Sequence, residues 1–292
     1  MLLAIALHGA LLGTHYFARD PDAFRGEFYP LLLFATAGMT LITAAADLIV
    51  VFLALEILSL ALYVMTGLTG RRRANEAAMK YFLLGAFSSA FFLYGVAMAY
   101  GATNSTRIVD IANALAGRTG SQSIALLGAA FLIIGFGFKI SAAPFHMWTP
   151  DVYQGAPTPV TAYMSAATKV AAFMALIRVL NVSLQPLTWD WTPIVAVLAA
   201  VSVIIGSVLA IAQTDIKRML AYSSIAQAGF ILMGLTSASS VGIAAAMFYL
   251  VAYSAMTLGS FGVVMLVSSR GEEQTASRRT AGCTGGTRCS PG

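Results

Sequence analysis

Cysteine is almost absent from this sequence of 292 residues, and the two that occur, Cys283 and Cys289, stand close to its end. Iron–sulfur clusters are held by sets of cysteines, and structural zinc sites by four cysteine or histidine ligands. The sequence therefore predicts neither a cluster nor a structural zinc site in this chain. Any redox cofactor that serves the protein must belong to a partner.

Charge is also scarce, because charged residues make up 10% of the chain while hydrophobic residues make up 59%. A soluble domain carries about a quarter charged residues. This composition predicts an all-α, polytopic membrane protein that lies in the lipid bilayer. The net charge of +5 does not indicate nucleic-acid binding. The basic residues form short clusters between apolar runs, where they orient helices instead.

Motifs for nucleotide binding and covalent catalysis are missing as well. The segment Gly135-Phe136-Gly137 lacks the third glycine and the strand context of a dinucleotide fingerprint. No Walker loop, metal-ligand pair or nucleophile elbow occurs in the sequence. The chemistry that remains is proton handling by ionisable side chains in apolar surroundings.

Apolar runs of roughly 20 residues, the length that a helix needs to cross the hydrocarbon core, predict nine membrane crossings. They lie at about 2–17, 28–46, 48–69, 76–100, 123–153, 158–180, 191–212, 216–236 and 240–268. A short surface helix is predicted at 108–116, within the polar segment 101–122. Together these elements form one transmembrane domain over residues 1–270.

The composition changes abruptly at the end of this domain. Residues 271–292 contain no apolar run and are rich in Gly, Ser, Thr and Arg, which is typical of a disordered segment. We interpret them as a disordered or aberrant tail. The chain also starts abruptly in an apolar run, so we expect the sequence to be a truncated or frame-shifted product.

Basic residues in the loops indicate the orientation of the helices, because cytoplasmic loops carry an excess of Lys and Arg. If residues 71–73 face the cytoplasm, that side collects eight basic residues and the opposite side three. The first set is Arg19, Arg25, Arg71, Arg72, Arg73, Lys217, Arg218 and Arg270, and the second is Arg107, Arg118 and Arg178. This asymmetry agrees with the predicted number of crossings.

Lysine is rare, and its placement is informative. Of four lysines in the chain, Lys80, Lys139 and Lys169 fall inside apolar segments. A lysine at the centre of a spanning helix costs roughly 2.5 to 3.5 kcal/mol on insertion, so such a residue is expected to be functional. Lys139 and Lys169 are predicted near the middle of the membrane. Lys80 lies in the first turns of its span, where its side chain either reaches the surface or joins the buried set.

Four prolines interrupt the stretch from Phe138 to Lys169. They are Pro144, Pro150, Pro157 and Pro159. Each proline removes a backbone donor, and unwound backbone survives at membrane depth only where protein or water satisfies it. The pattern predicts a discontinuous helix at about 123–153 that lines a hydrated proton path.

Two further ionisable residues accompany the lysines. Glu56 stands eight residues into its span and is either part of a structural ion pair or part of a proton relay. His146, seven residues beyond Lys139, either passes a proton between Lys139 and Lys169 or bonds to the unwound backbone. Burial disfavours the charged forms of both lysine and glutamate, so neighbouring groups of this kind can exchange protons.

At these residues the sequence resembles the antiporter-like membrane subunits of proton-pumping NADH:quinone oxidoreductase, respiratory complex I. It is most similar to subunit N of that family, the bacterial counterpart of mitochondrial subunit 2. The stretches that carry the resemblance are FLALEILSLALYVMTG at 52–67, FKISAAPFHMWTPDVYQGAPTPVTAYMSAATK at 138–169 and QTDIKRMLAYSSIAQAGF at 213–230. With similar spacing between them, they cover most of residues 28–268.

The resemblance assigns roles to individual positions. Glu56 matches a glutamate on the family's fifth helix, Lys80 a lysine on the sixth, Lys139 the lysine of the broken seventh, and Lys169 the central lysine of the eighth. In that family these residues belong to a proton half-channel and a central polar axis. The family fold has about fourteen helices with inverted repeats, and the nine predicted spans correspond to helices three to eleven. The first two helices and the second broken helix have no counterpart in this sequence.

The resemblance implies a subunit of a translocase in the inner membrane of bacteria, with other membrane subunits of complex I as its partners. Proton translocation by this subunit would be coupled to electron transfer from NADH to quinone. NADH, FMN, iron–sulfur clusters and quinone are then expected in partner subunits. An alternative is a subunit of a multi-subunit cation/proton antiporter or of a membrane-bound hydrogenase, which share the lysine and glutamate pattern. The segment TPDVYQGAPTPV, with the FHMW run before it, favours complex I. A non-transporting scaffold with structural ion pairs is the alternative from another class.

Overall fold

The structure, a computed structural model, describes residues 1–19, 26–117 and 121–268. The helices are α1 Leu2–Arg19, α2 Phe28–Ala44, α3 Leu48–Thr66, α4 Arg72–Thr103, α5 Ile108–Ala116, α6 Gln122–Ile140, α7 Thr149–Gly155, α8 Thr158–Arg178, α9 Thr188–Ile211, α10 Ile216–Thr236 and α11 Ser240–Val267. Within the described ranges, one isolated antiparallel β-bridge joins Asp47 to Arg107. The predicted all-α bundle is confirmed. The predicted tail 271–292 lies outside the described residues, as do Arg25, Arg118 and Arg270.

Seven helices in the described part of the chain are long and apolar enough to cross a membrane. They are α3, α4, α6, α8, α9, α10 and α11, with α8 extended by a π-helical turn to Ser183 and α9 preceded by a 3₁₀ turn from Gln185. Two of the nine predicted crossings fall outside this set. The first, α2, has only 17 residues. The second, α1, contains His8 and His15 and ends on Arg19, which lower its apolar character. The predicted count of nine is therefore not confirmed.

Short polar residues define several helix ends. The carboxylate of Asp215 accepts hydrogen bonds from the backbone N–H groups of Lys217 at 2.9 Å and Arg218 at 3.1 Å, which satisfies orphan donors of the first turn of α10. Asp47 caps the start of α3 in the same way. Asn104, with a φ of 56°, ends α4 in the left-handed conformation that asparagine tolerates.

The helix ends lie on two opposite sides of the bundle, as alternating crossings require. On one side, Arg19 donates a hydrogen bond to the carbonyl of Met265, and Lys80 and Arg218 form ion pairs with Asp151. On the other side, Arg178 donates a hydrogen bond to the carbonyl of Thr43, and Thr106 donates one to Asp47. The first side carries Arg71 to Arg73 and the second carries Arg107. The described basic residues are thus distributed as the sequence predicted.

Helix α8 occupies the centre of the bundle and contacts α1, α2, α3, α6, α7, α10 and α11. Nearly all of its residues are buried, and many of them are alanine, serine or threonine. Small side chains of this kind let neighbouring helices approach closely in a membrane protein. Because α8 is enclosed on all sides, Lys169 near its middle is held in the protein interior.

Helices α9 and α10 pack closely over much of their length. Gly206 of α9 faces the backbone of α10, where a β-carbon would collide with the amide nitrogen of Ala226 and the carbonyl oxygen of Tyr222. Only glycine permits this approach, because it has no side chain to displace. Helix α10 of this pair presents Lys217 to the end of α7 and the carbonyl of Ser224 to Lys169 of α8.

The predicted discontinuous helix is present. Helix α6 ends at Ile140, and Ser141 follows with a φ of 63°, a left-handed conformation typical of helix C-termini. The indole Nε1 of Trp148 donates a hydrogen bond of 2.9 Å to the carbonyl of Phe138, which satisfies one acceptor at the end of α6. The chain then forms the single short helix α7 before α8 begins. The irregular segment 141–148 therefore separates two helical pieces.

Candidate functional site

Lys139, in the last turn of α6, is buried with 5% of its surface exposed. Its Nζ donates a hydrogen bond of 2.6 Å to the hydroxyl of Ser59, near the middle of α3. Three aromatic rings surround the same nitrogen, with centroids at 5.7 Å for Tyr63 and at 5.9 Å for both Tyr81 and Phe138. Such faces attract a cation. These contacts can hold an ammonium group at the level of the middle of α3.

Glu56 lies on the same face of α3 as Ser59, one turn away. It is half-buried, and its Oε1 accepts a hydrogen bond of 2.5 Å from Ser89 of α4. Among the described residues, no ion pair within 4.0 Å joins Glu56 to Lys139. The two groups do interact electrostatically. Glu56 and Lys139 thus interact without forming a contact ion pair.

Lys169 is buried with 1% of its surface exposed. Its Nζ donates a hydrogen bond to the carbonyl oxygen of Ser224 in α10 and lies 5.3 Å from the centroid of the Tyr253 ring in α11. In the described part of the chain no carboxylate pairs with it. A buried charge without an opposite partner is costly, so Lys169 is expected to change its protonation state readily.

Tyrosine and serine side chains connect the surroundings of the two lysines. Tyr81, beside Lys139, interacts electrostatically with Tyr153 of α7. Tyr153 and Tyr253 both lie within interaction range of the Ser224 side chain. The carbonyl of Ser224 binds Lys169. This series of hydroxyl-bearing side chains on α4, α7 and α10 thus has members near each lysine.

Lys80 lies apart from these buried groups. Its Nζ forms ion pairs of 2.8 Å with Glu76 and with Asp151, and its side chain is 44% exposed. Arg218 binds the second oxygen of Asp151 at 2.5 Å. Glu76, Lys80 and Asp151 border a cavity of about 220 Å³ that is also lined by Gln154. Lys80 is thus bonded to Asp151 in α7. Among the described residues, Lys80 forms no hydrogen bond to Glu56 or Lys139.

Asp151 lies outside the seven spans and connects three helices through its two cationic partners. Partial burial raises the pKa of its carboxyl group, but the hydrogen bonds from Lys80 and Arg218 outweigh that effect and hold the pKa below its usual range. The group is therefore ionised at neutral pH. It is a fixed negative charge in the lining of the cavity.

His146 lies in the irregular segment between α6 and α7, where it is half-buried. Its ring centroid is 6.4 Å from that of Tyr222 in α10. Its Nδ1 is buried without a hydrogen-bond partner in the described residues, and neither ring nitrogen bonds to Lys139 or Lys169. Its predicted role between the lysines stays a prediction.

The structure adds Lys217, which the charge pattern of the sequence assigned to the basic residues of the loops. Its side chain is fully buried, and its Nζ donates a hydrogen bond of 2.6 Å to the carbonyl of Ala156 at the end of α7. Two signals in the sequence point to it. Asp215 is a typical helix N-cap, which places Lys217 in the first turn of α10, and Pro157 leaves a helix end whose carbonyls need donors.

Ser59 is a second residue that the sequence reasoning missed. It follows Glu56 by three positions, so the two share a helix face. A serine in that position of an apolar helix is a signal that a polar partner lies opposite. The identity of the partner, Lys139, depends on how α6 packs against α3 and cannot be read from spacing.

These residues lie within a recognised protein family. A family described as NADH:quinone oxidoreductase/Mrp antiporter, transmembrane, matches residues 45–284, which is most of the chain. The chain belongs to this family. The matched range contains Glu56, Lys80, Lys139, His146 and Lys169. The predicted resemblance is confirmed.

Curated relatives agree with the family assignment. NADH-quinone oxidoreductase subunit N of Rhodococcus opacus is 55% identical over 255 residues, which cover 86% of this chain and 47% of the relative. The subunit N of Mycobacterium tuberculosis is 53% identical over 266 residues, which cover 90% of this chain and 50% of the relative. The chain therefore spans about half the length of the curated relatives it matches.

Solved structures show the same fold. A chain of respiratory complex I from Thermus thermophilus is 40% identical, with a TM-score of 0.73, and the match covers 91% of this chain and 58% of that one. A chain of the Mrp complex from Dietzia is 22% identical, with a TM-score of 0.81, and covers 91% of this chain and 50% of that one. The second likeness concerns the fold alone. The family, its bacterial members and the apolar helices confirm a multi-pass protein of the bacterial inner membrane.

Proposed function

We propose that this chain is the proton-translocating part of a subunit N of respiratory NADH:quinone oxidoreductase. It moves protons through Glu56, Lys139 and Lys169 in response to electron transfer in other subunits. The observation that carries the proposal is the burial of Lys139, in the last turn of the interrupted helix α6, and of Lys169, near the middle of α8, without a carboxylate in ion-pair contact among the described residues. A scaffold would pair such charges or replace them, because each costs several kcal/mol when buried.

The break between α6 and α7 supports a hydrated path beside Lys139. The hydroxyls of Ser141 and Thr149 and the Nδ1 of His146 are buried there without hydrogen-bond partners in the described residues. An unsatisfied buried polar group costs about 1 to 3 kcal/mol. Polar atoms of this kind are commonly satisfied by internal water. Water in this segment would carry protons to and from the Lys139 amine.

The hydroxyl series supports coupling between the two lysines. A proton that leaves Lys139 can move along side chains that donate and accept, through Tyr81 and Tyr153, to the neighbourhood of Ser224 and Lys169. The charge state of one amine then affects the other, because each is screened weakly in the protein interior. This coupling is what a relay driven from outside the subunit requires.

Lys80 and His146 have supporting roles in this proposal. Lys80, with Asp151, sets the charge at the mouth of the 220 Å³ cavity, where protons exchange with the aqueous phase. His146 exchanges protons with water in the break, since its ordinary pKa lies near 6.5. Neither residue has to contact the buried lysines directly for these roles.

The redox chemistry is assigned to partner subunits. NADH, FMN, iron–sulfur clusters and quinone are expected there, because the chain offers two cysteines, both near its end. The membrane partners are other membrane subunits of the same complex. Identity of 40% to a chain of complex I, against 22% to a chain of the Mrp complex, favours this assignment over a cation/proton antiporter.

A chimera tests the function in a whole complex. The matching segment of this chain replaces its counterpart in subunit N of Rhodococcus opacus, whose remaining half supplies the other helices. NADH-driven acidification of inside-out membrane vesicles is measured, together with NADH oxidation and the amount of assembled complex on native gels. The chimera is expected to assemble and to pump protons.

Lys139→Met and Lys169→Met are expected to reduce acidification by roughly a hundredfold, the contribution of a positioned proton-transfer group, with assembly unchanged. Arg178→Met is the matched control for Lys169, because Arg178 is on the same helix and also bonds a backbone carbonyl, that of Thr43. It is expected to pump normally. If the lysine variants lose assembly instead, or keep pumping, the proton-relay function is wrong.

A further inference from the structure

The hydroxyl group of Tyr63 in α3 is buried without a hydrogen-bond partner among the described residues. The whole residue is 7% exposed. Phenylalanine would fill the same space without an unsatisfied polar atom, which costs about 1 to 3 kcal/mol. The hydroxyl therefore needs an explanation outside packing.

The position of this hydroxyl is fixed by three residues at successive turns of α4. The ring of Tyr81 packs edge-on against the Tyr63 ring, with centroids 4.7 Å apart. Gly85, one turn on, is the α4 residue that faces the Tyr63 hydroxyl. Ser89, a further turn on, binds the carboxylate of Glu56. Along α4, the Tyr63 hydroxyl thus lies one turn beyond Tyr81 in the direction of Glu56. It lies about one turn before the position at which Ser89 binds Glu56.

A helical turn rises about 5.4 Å, and two hydrogen bonds through one water span about the same distance. The step of one turn along the α4 axis, from Gly85 at the Tyr63 hydroxyl to Ser89 at the Glu56 carboxylate, therefore has the length that one bridging water spans. Tyr63 and Glu56 already interact electrostatically. The Ser59 side chain also lies within interaction range of the hydroxyl. These polar neighbours are the ones that a bridging water needs.

Gly85 makes the placement possible. A β-carbon built on Gly85 would collide with the Tyr63 hydroxyl and with the ring carbon that bears it. A bare backbone at this position gives the hydroxyl room that any other residue would occupy. The sequence thus combines an unpaired hydroxyl with the one residue type that admits it.

Lys139 also lies beside the Tyr63 ring. An ammonium group has three donors, and Lys139 uses one of them on Ser59 among the described residues. Its Nζ lies 5.7 Å from the centroid of the Tyr63 ring. The remaining donors are near a tyrosine whose hydroxyl lacks a partner.

We propose that the Tyr63 hydroxyl, with bridging water, is the proton-conducting link between Lys139 and Glu56. This inference rests on the proposed function. In the transfer, the Lys139 ammonium releases a proton to the hydrogen-bonded link, and the link delivers a proton to the Glu56 carboxylate. Lys139 becomes a neutral amine and Glu56 a neutral acid, while Tyr63 ends in the form in which it began. The reverse transfer restores both charges.

The test uses Tyr63→Phe in the chimeric complex, because this change deletes the hydroxyl and keeps the ring over Lys139. Acidification is expected to fall roughly tenfold, the low end for loss of a proton-transfer group, because water replaces the hydroxyl in part. The solvent deuterium isotope effect on pumping is expected to rise, since proton transfer becomes slower. The melting temperature of the complex is expected to stay the same or to rise.

Tyr163→Phe is the matched control. Tyr163 is also buried, but its hydroxyl shares a hydrogen bond of 2.7 Å with Thr36. Its loss is expected to lower the melting temperature and to leave pumping and the isotope effect unchanged. A merely structural role for Tyr63 would give this second pattern.

Gly85→Ala is a second test that leaves Tyr63 in place. It displaces the hydroxyl and is expected to reduce pumping to the level of Tyr63→Phe. If Tyr63→Phe pumps like the parent chimera while Lys139→Met does not, the link through Tyr63 is wrong and the relay stands. If Lys139→Met also pumps, the relay itself fails.

Discussion

The amine of Lys217 donates a hydrogen bond of 2.6 Å to the carbonyl oxygen of Ala156, the C-cap residue that follows the short helix α7. The C-terminal end of a helix carries partial negative charge and unsatisfied carbonyls, both of which favour a cation. Lys217 therefore fixes one piece of the discontinuous helix to α10. The same helix α10 presents the carbonyl of Ser224 to Lys169, so the two contacts place α7, α8 and α10 relative to one another.

Replacement of this anchor is predicted to destabilise the fold. Lys217→Met is expected to lower the free energy of unfolding by about 1 to 3 kcal/mol, because the buried carbonyl of Ala156 loses its donor. Lys217→Arg restores a donor and is expected to recover part of the loss. Thermal unfolding of the purified chain in detergent measures both. Arg107→Met, at a side chain that is 71% exposed, is the control and is expected to cost less than about 0.5 kcal/mol. Equal effects of the two Met variants would contradict the anchor.

Ser59 is predicted to be needed for pumping because its hydroxyl is the hydrogen-bond partner of Lys139. Ser59→Ala in the chimeric complex is expected to reduce acidification roughly tenfold, since the buried amine loses a positioned acceptor. Ser59→Thr keeps a hydroxyl and is expected to retain most of the activity. Thr66→Val is the control on the same helix, because among the described residues the Thr66 hydroxyl bonds within α3, to the carbonyl of Leu62 at 2.8 Å. Unchanged pumping by Ser59→Ala would exclude this role.

Asp151 is predicted to make stability depend on pH in the acid range. Its pKa is held below the usual value by Lys80 and Arg218, in spite of partial burial. A carboxyl group of this kind stabilises the fold above its unfolded pKa of about 3.9, and the contribution is lost as the pH falls through the lower, folded value. The gain is expected to be below about 1 kcal/mol, because the side chain is 35% exposed and solvent screens the pairs.

The measurement compares melting temperatures of the parent and of Asp151→Asn in detergent. The difference between them is expected to be constant from about pH 7 to pH 5, to begin to close below about pH 4, where the unfolded carboxyl group takes up a proton, and to vanish once the pH has fallen below the lower folded pKa. Asp110→Asn serves as the control, because Asp110 is 44% exposed and pairs with Arg107 at 3.8 Å. It is expected to show a difference close to zero throughout. A difference for Asp151 that persists at low pH would contradict the ionic contribution.

The sequence located the membrane helices closely where apolar runs were long and uninterrupted. The prediction for 216–236 matches α10. The short surface helix predicted at 108–116 matches α5. It was less accurate at the start of α4, which begins at Arg72 rather than near residue 76. The polar first turns of α4 are helical because Lys80 and Glu76 lie on one face and pair at i,i+4, which hydropathy does not register.

The candidate site was predictable in part. Lys139, Lys169 and Glu56 stood out because a charge in an apolar run is costly, and the structure buries both lysines. Lys80 was ambiguous in the sequence, and the structure places it at a surface cavity with Asp151. Lys217 was assigned to the basic residues of the loops because it adjoins Arg218 in a polar segment. Its burial follows from the docking of α10 on α7, a contact between residues distant in the chain.

The sequence by itself determined that this protein is a helical membrane protein with rare, buried ionisable groups and an interrupted helix. These conclusions depend on transfer free energies and on the backbone limits of proline, which act locally. Only the tertiary structure decided which groups meet: Ser59 with Lys139, Ser224 with Lys169, Ala156 with Lys217, and the Tyr63 hydroxyl with Gly85. Those meetings depend on how whole helices pack, because small residues at the interfaces set the distance and rotation of each helix against its neighbours.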